Sequence, residues 1–217
     1  MKLKRINKTL WLLLAVLLII LTATLFLAIH LDRSPQMQKL LPGAPLPLEM
    51  SQSMDSVLEM MHNDDLHQAE LLLENMLHNQ PANSDTWHLL GSVYFRQEKF
   101  EKAQQTFIHL IRLQPENAAA YNNLGKVLEA LKKFDDSAEA FSMAVKLAPD
   151  NPEILLNTAS LHARMHNDRQ ALLFLRSAMN KGATPEVISH YTELVQLLER
   201  PDFMSFYQQQ TSVKQQK

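Results

Sequence analysis

The 217-residue chain contains no cysteine, which excludes disulfides, thiolate chemistry and lipid attachment through a cysteine. Glycine is almost as scarce. Gly43, Gly91, Gly125 and Gly182 are the only four, too few and too scattered to write a phosphate-cradling loop of either common kind. No G-x-S-x-G elbow and no H-E-x-x-H pair occurs. The nearest approach to a metal motif is His162 with His166, one helical turn apart, but Ala163 stands where a general base belongs. Two ligands make half a zinc site. The other histidines, such as His62, His78 and His109, show no ligand spacing, so neither a metal nor another cofactor is expected. An excess of positive charge is missing too. Lys2, Lys4, Arg5 and Lys8 precede every acid, and without them 17 of the 21 Lys and Arg face 23 Asp and Glu. That mildly acidic body has the wrong sign for nucleic acid.

One long apolar run is present. From Leu10 to Ile29 only Thr22 and Thr24 interrupt it, and twenty helical residues span roughly 30 Å, about the hydrocarbon thickness of a bilayer. The basic residues ahead of it place the amino terminus in the cytoplasm and everything after His30 across the membrane, with Trp11 at the near interface. The run exceeds the apolar region of a usual signal peptide, and Leu27, Ala28, Ile29 and His30 make no small-residue cleavage site. Residues 1–30 therefore read as a cytoplasmic stub and an uncleaved single-pass anchor. Residues 31–49, with Pro35, Pro42, Gly43, Pro45 and Pro47, read as a semi-extended tether. Residues 201–217 form a glutamine-rich tail in which Phe203, Phe206 and Tyr207 either dock on the last helix or dangle.

Between tether and tail the chain repeats itself. Pro81, Pro115 and Pro149 stand 34 residues apart, and the segment ahead of Pro115 reads Trp87, Leu90, Gly91, Tyr94, Ala103 and Phe107 at the spacing W-x2-L-G-x2-Y…A-x3-F…P. The next copy opens near Ala118 and keeps Tyr121, Leu124, Gly125, Ala144 and Pro149. Leu128 replaces the tyrosine and Ser137 an alanine, with Ala138 placed to compensate. On these residues the chain resembles the tetratricopeptide-repeat family. The resemblance implies an all-α solenoid of antiparallel helix pairs, non-enzymatic, with a concave surface that holds a peptide or protein segment. Two weaker copies flank the pair. Residues 50–83 keep Leu66, Ala69, Leu73 and Pro81 but carry Val57 at the glycine position and Ser53 at the aromatic one. Residues 152–183 keep Leu155, Ala159, Ala171, Leu175 and Ala178, with His162 at the tyrosine position and Ala183 at the closing proline. The expected repeats are thus 50–83, 84–117, 118–151 and 152–183.

Helix boundaries agree with that register. Asn151 before Pro152 offers a cap and a first-turn proline, Thr184, Pro185 and Glu186 repeat the order, and Gly182 is a natural stop. Val187, Tyr191, Leu194, Val195 and Leu198 then fall at three- and four-residue steps, which predicts one amphipathic capping helix over 185–200. The pairs Asp64 with Asp65 and Asp135 with Asp136 fall in turns between paired helices, where they suit capping better than acid and base catalysis. Met50, Met54, Met60 and Met61 make an adaptable cluster, read as core or as binding surface.

The resemblance assigns the inner surface to the first helix of each repeat. Carried onto this sequence, the positions free of packing duty are His88, Ser92, Phe95 and Arg96, then Asn122, Asn123, Lys126 and Glu129, then Asn157, Ser160 and Arg164, with Met54, Leu58 and Met61 from the first copy. Asn123 and Asn157 occupy equivalent places. An amide both donates and accepts, which suits an extended peptide backbone, although a merely solvated asparagine reads the same way. Lys126, Arg96 and Arg164 favour an acidic or carboxyl-terminal ligand. The family's carboxylate clamp for chaperone tails is not matched: His88 stands for lysine, Ser92 for asparagine, and Glu153 and Asn157 for two cations, leaving Asn123 alone.

Taken together, the sequence reads as a membrane-anchored adaptor that organises an envelope assembly at the outer face of a bacterial inner membrane. The stretch from Asn83 to Phe95 is similar to repeats in anchored factors of cytochrome c maturation, which makes an apocytochrome one candidate partner. A metal-dependent enzyme centred on His162 and His166 and a structural homo-oligomer are the competing readings. The topology is directly testable. A reporter active only after export, fused after Lys217, is expected to be active, and activity of a cytoplasm-only reporter at that site overturns the assignment.

Overall fold

The structure, a computed structural model, describes residues 48–200. The expected anchor, most of the tether and the tail lie outside the described residues, and among those described no helix is long and apolar enough to cross a membrane. Two compact units divide the chain, residues 1–56 and 57–217, and the helical array from Val57 onward belongs to the second.

Among the described residues the regular structure is entirely helical: α1 (Leu48–His62), α2 (Leu66–Asn79), α3 (Ser84–Arg96), α4 (Phe100–Leu113), α5 (Ala118–Ala130), α6 (Phe134–Leu147), α7 (Pro152–Arg164), α8 (Asp168–Asn180), α9 (Pro185–Ile188) and α10 (Thr192–Glu199). From α2 to α8 each helix packs against the next in sequence, and α10 returns onto α7. The first helices of successive repeats, α3 with α5 and α5 with α7, also touch. This is the expected solenoid of antiparallel pairs.

Local chemistry explains the regular breaks. Asn83, Asn117 and Asn151, at one position of three successive repeats, sit in extended backbone, and each side chain accepts from backbone N–H groups of the helix it opens. Within each pair the first helix ends on a left-handed residue, Asp64, Glu98, Lys132 or His166, again 34 residues apart. Around Glu98 the Glu98 N–H donates to the Phe95 carbonyl and the Lys99 N–H to that of Tyr94, a Schellman closure. Gly182 makes the same closure after α8 at a φ of 106°. Asp135 and Asp136 lie in the first turn of α6 rather than in the turn before it, where they oppose its dipole.

The core rests on a size match repeated down the stack. A Cβ placed on Gly91 would lie 2.7 Å from the Phe107 ring, and one on Gly125 2.8 Å from the Phe141 ring. One repeat further on the glycine position holds Ala159 and the phenylalanine position Leu175, both fully buried in one cluster. At the other end Val57 and Leu73 hold these positions, again fully buried. The flanking copies thus keep the packing by trading volume between two positions rather than by abandoning it. Ser137 needs no help from Ala138: it is fully buried itself, and its hydroxyl donates to the Gly125 carbonyl at 2.8 Å.

The expected single capping helix is broken. α9 stops at Ile188, Ser189 donates to the Glu186 carbonyl, and the chain turns through His190 and Tyr191 before α10. A continuous helix would satisfy more of its own backbone. The break instead buries Ile188, Leu194 and Leu198 together in one core cluster and brings Tyr191 and Glu193 onto α7.

Two stability measurements follow. Gly91→Leu and Gly125→Leu force a side chain into an aromatic ring and should each cost ~1–3 kcal/mol or more, with Gly91→Leu the larger, read as a lowered Tm. Lys132→Gly should instead raise Tm, because it removes the left-handed strain on a side chain, worth about 1 kcal/mol. Unchanged midpoints for both leucine variants would refute the repeat register.

Candidate peptide-binding surface

The faces of α3, α5 and α7 bring most of the sequence-predicted residues together, but the structure divides them into two groups. The first group is spent on the array itself. Asn157 is buried; its amide donates to Asn122 Oδ1 at 2.9 Å and its oxygen accepts the Tyr191 hydroxyl at 3.0 Å. The expectation that Asn157 is exposed and free of packing duty therefore fails, because its donor and acceptor tie two successive repeats and the cap together. Asn122 is buried with it, and Ser160, also buried, donates to Glu193 Oε2 at 3.1 Å. Ser92 turns back to the His88 carbonyl at 2.9 Å.

Both arginines of the predicted surface are engaged. Arg96 donates to the Met61 carbonyl at 2.5 Å and pairs with Asp64 at 2.8 Å. These groups are exposed, and such a pair contributes only ~0–1 kcal/mol. Arg164 sits between two carboxylates, Glu129 at 3.2 Å and Glu193. Burial pushes the Glu129 carboxyl above its ordinary range, with the Arg164 charge opposing. Burial works against Glu193 as well, but bonds from its own backbone, Arg164 and Ser160 outweigh it and hold that carboxyl low. Arg164 thus serves chiefly to pin α10 to α7. Sequence reasoning missed Glu193 and Tyr191. Their signal was present, since Tyr191 stands 34 residues beyond Asn157.

The second group keeps capacity to spare. Asn123 Nδ2 lies 2.8 Å from His88 Nε2, the same between-repeat step as Asn157 to Asn122, yet Asn123 is only half-buried and its oxygen has no donor among the described residues. An amide donating there needs the His88 nitrogen unprotonated. Burial agrees, pushing the His88 imidazole below its ordinary value while Asp85 opposes. Lys126 makes no ion pair among the described residues, and its ammonium lies 5.9 Å from the centre of the Phe95 ring. Phe95 is itself half-buried and meets Phe100 edge-on at 5.6 Å. Of the first-copy positions, Leu58 is half exposed. Met54 belongs to the other unit.

The histidines considered for metal do not build a centre. The His162 ring stacks flat on Phe174 at 5.6 Å, and its Nδ1 is buried without a partner. His166 is the left-handed residue of the following turn. Among the described residues no three potential ligands converge.

Residues 88–152 match the family described as TPR_16: Tetratricopeptide repeat. No curated protein matches the chain. Among solved structures, MamA from residue 41 to its end, from Desulfovibrio magneticus RS-1, superposes with a TM-score of 0.62 at 13% identity over 77% of this chain and 94% of that one. A crystal structure of MamA gives 0.56 at 17% identity over 69% and 85%. YrrB, described as a TPR protein with an unusual peptide-binding site, gives 0.55 at 18% identity over 64% and 71%. At such identities the likeness concerns the fold alone, and the described residues have the fold of a tetratricopeptide solenoid.

Proposed function

We propose that the chain is a non-enzymatic, membrane-anchored adaptor that holds a protein or peptide segment on the first-helix face of its solenoid, in the assembly of an envelope complex. The observation that carries this reading is Lys126. Its register position is serine in the repeats on either side, Ser92 and Ser160, and both serines are consumed within the array. The one cation that replaces them forms no ion pair among the described residues, though Glu129 one turn on feels its charge, and it stands beside the half-buried Phe95. An ammonium next to an aromatic surface suits an acidic or carboxyl-terminal ligand with an apolar neighbour. Asn123 supplies a free acceptor one turn away for a backbone N–H. The apolar run Leu10–Ile29 supports the anchor, and with it placement of the array outside the cytoplasm.

A paired measurement tests the assignment: capture of partners from solubilised membranes by the full chain, and thermal stability of the same variants. Lys126→Glu should lose the captured partner while keeping Tm within a degree or two, since surface changes of this kind are usually within ~0.5 kcal/mol. Asn123→Ala should lose it too, with a modest fall in Tm because the His88 ring loses its bond. Asn157→Ala should behave oppositely. It leaves Asn122 and Tyr191 short of a buried partner, at a cost of about 1–3 kcal/mol. A partner retained by Lys126→Glu moves binding off this face.

A further inference from the structure

A groove of about 480 Å³ lies between α2, α3 and α4, away from Lys126 and built differently from the first-helix face. Leu77 and Leu90 and the rings of Trp87 and Tyr94 line its apolar part, while α4 contributes Lys102, Gln105 and His109. The consensus aromatics are not consumed by packing alone. Trp87 is only half-buried, its indole N–H donates to the Pro81 carbonyl at 2.8 Å, and its ring meets His109 at 4.2 Å.

The polar groups of α4 have donors left over. The Lys102 ammonium sits 4.9 Å from the centre of the Tyr94 ring and only 3.5 Å from Glu70, which takes its main bond from Lys99 at 2.7 Å. Burial alone would raise the Glu70 carboxyl, but Lys99, Gln97 and the Lys102 charge outweigh it, so Glu70 stays ionised without a close bond to Lys102. The side chains of Gln105 and His109 make no hydrogen bond among the described residues. Arg112, three residues beyond His109 on the same helix face, is exposed and makes no ion pair among them. On the α2 wall, Glu74 accepts the Tyr94 hydroxyl at 2.8 Å.

We propose that this groove is a second docking site, for a partner peptide segment in which carboxylates flank an apolar or aromatic side chain. Charge complementarity selects that occupant along α4, whose rim offers an ammonium, an amide N–H, an imidazole and a guanidinium. The one carboxylate lining the groove, Glu74, stands on the opposite α2 wall, where its charge steers acids toward α4. The anchor residue fills the aromatic floor, and the acids lie along α4. The arrangement is not generic to the repeat. One period later Lys102, Gln105 and His109 become Asp136, Glu139 and Met143, which turns the rim acidic and would repel the same segment. An adaptor with one site on the first-helix face and one here joins two partners.

Trp87 supplies the readout, because Trp11 is the only other tryptophan. In the full anchored chain carrying Trp11→Phe, the emission of Trp87 is titrated with the blocked peptide Ac-Phe-Glu-Leu-Glu-NH2 and with its glutamine and lysine counterparts. The acidic peptide should give a saturable change, at least about tenfold tighter than the other two and weaker as salt is raised. Gln105→Glu, which disturbs no bond, should weaken it about tenfold with Tm unchanged, and Lys102→Met should act in the same direction. Lys126→Glu should leave it unaltered. Equal affinity for the three peptides, no response to any, or full affinity in Gln105→Glu overturns the proposal. Loss in Lys126→Glu alone returns the peptide to the first-helix face.

Discussion

The closeness of paired helices at Gly91 and Gly125 is the constraint on which the rest depends. A ring edge lies 2.7–2.8 Å from where a Cβ would stand, so the spacing of each pair is set by the absence of a side chain rather than by an attraction. Phe107 and Phe141 are then buried almost completely, and their burial stabilises each pair, with the Ser137 hydroxyl on the Gly125 carbonyl adding one buried bond in the second. Because each repeat contacts only its neighbours, the same spacing must recur for the next interface to fit. Ala159 with Leu175 shows how the recurrence survives a change of residues, since volume added at one position is removed at the other.

Fixing that spacing places first helices side by side, and the polar groups between them become structural by geometry. His88 to Asn123, Asn122 to Asn157 and Asn157 to Tyr191 are successive rungs of one ladder. Each buried bond contributes only about 1 kcal/mol net, but losing one partner leaves the other desolvated, which costs more. The ladder thus favours one register of repeat on repeat and ties the broken cap to the stack. A polar first-helix position in such an array can be a rung, a reader of ligand or, like the half-buried Asn123, both, and exposure decides how much of it is left over.

The fold was legible because packing repeats: Trp87, Gly91, Tyr94, Phe107 and the spaced prolines mark out the helix pairs by their period alone. Even the trade at Val57 and Ala159 lay in the sequence, once read in register with Leu73 and Leu175. The candidate surface was legible only in part. Asn123 and Asn157 are identical residues at equivalent places, yet one keeps a free oxygen and the other is buried, because Tyr191 reaches back to Asn157 from beyond a helix break. Periodicity treated 185–200 as one helix and could not foresee that break. It depends on which of two arrangements buries Ile188, Leu194 and Leu198 together, a question of tertiary packing.

Repeats leave function a narrow place to act. At positions where packing dictates the residue, successive copies agree or exchange volume, as glycine and phenylalanine do here. At positions outside the helix-pair core they diverge in charge: Lys126 between Ser92 and Ser160, and Lys102 and Gln105 against Asp136 and Glu139. A reversal of charge at constant backbone changes little in stability, since exposed charges contribute at most about 1 kcal/mol. It does change which segment can lie there, because a carboxylate that meets an ammonium in one repeat meets an acid in the next. The scaffold therefore sets where ligands can bind by its period, and these few departures from the period set what they are.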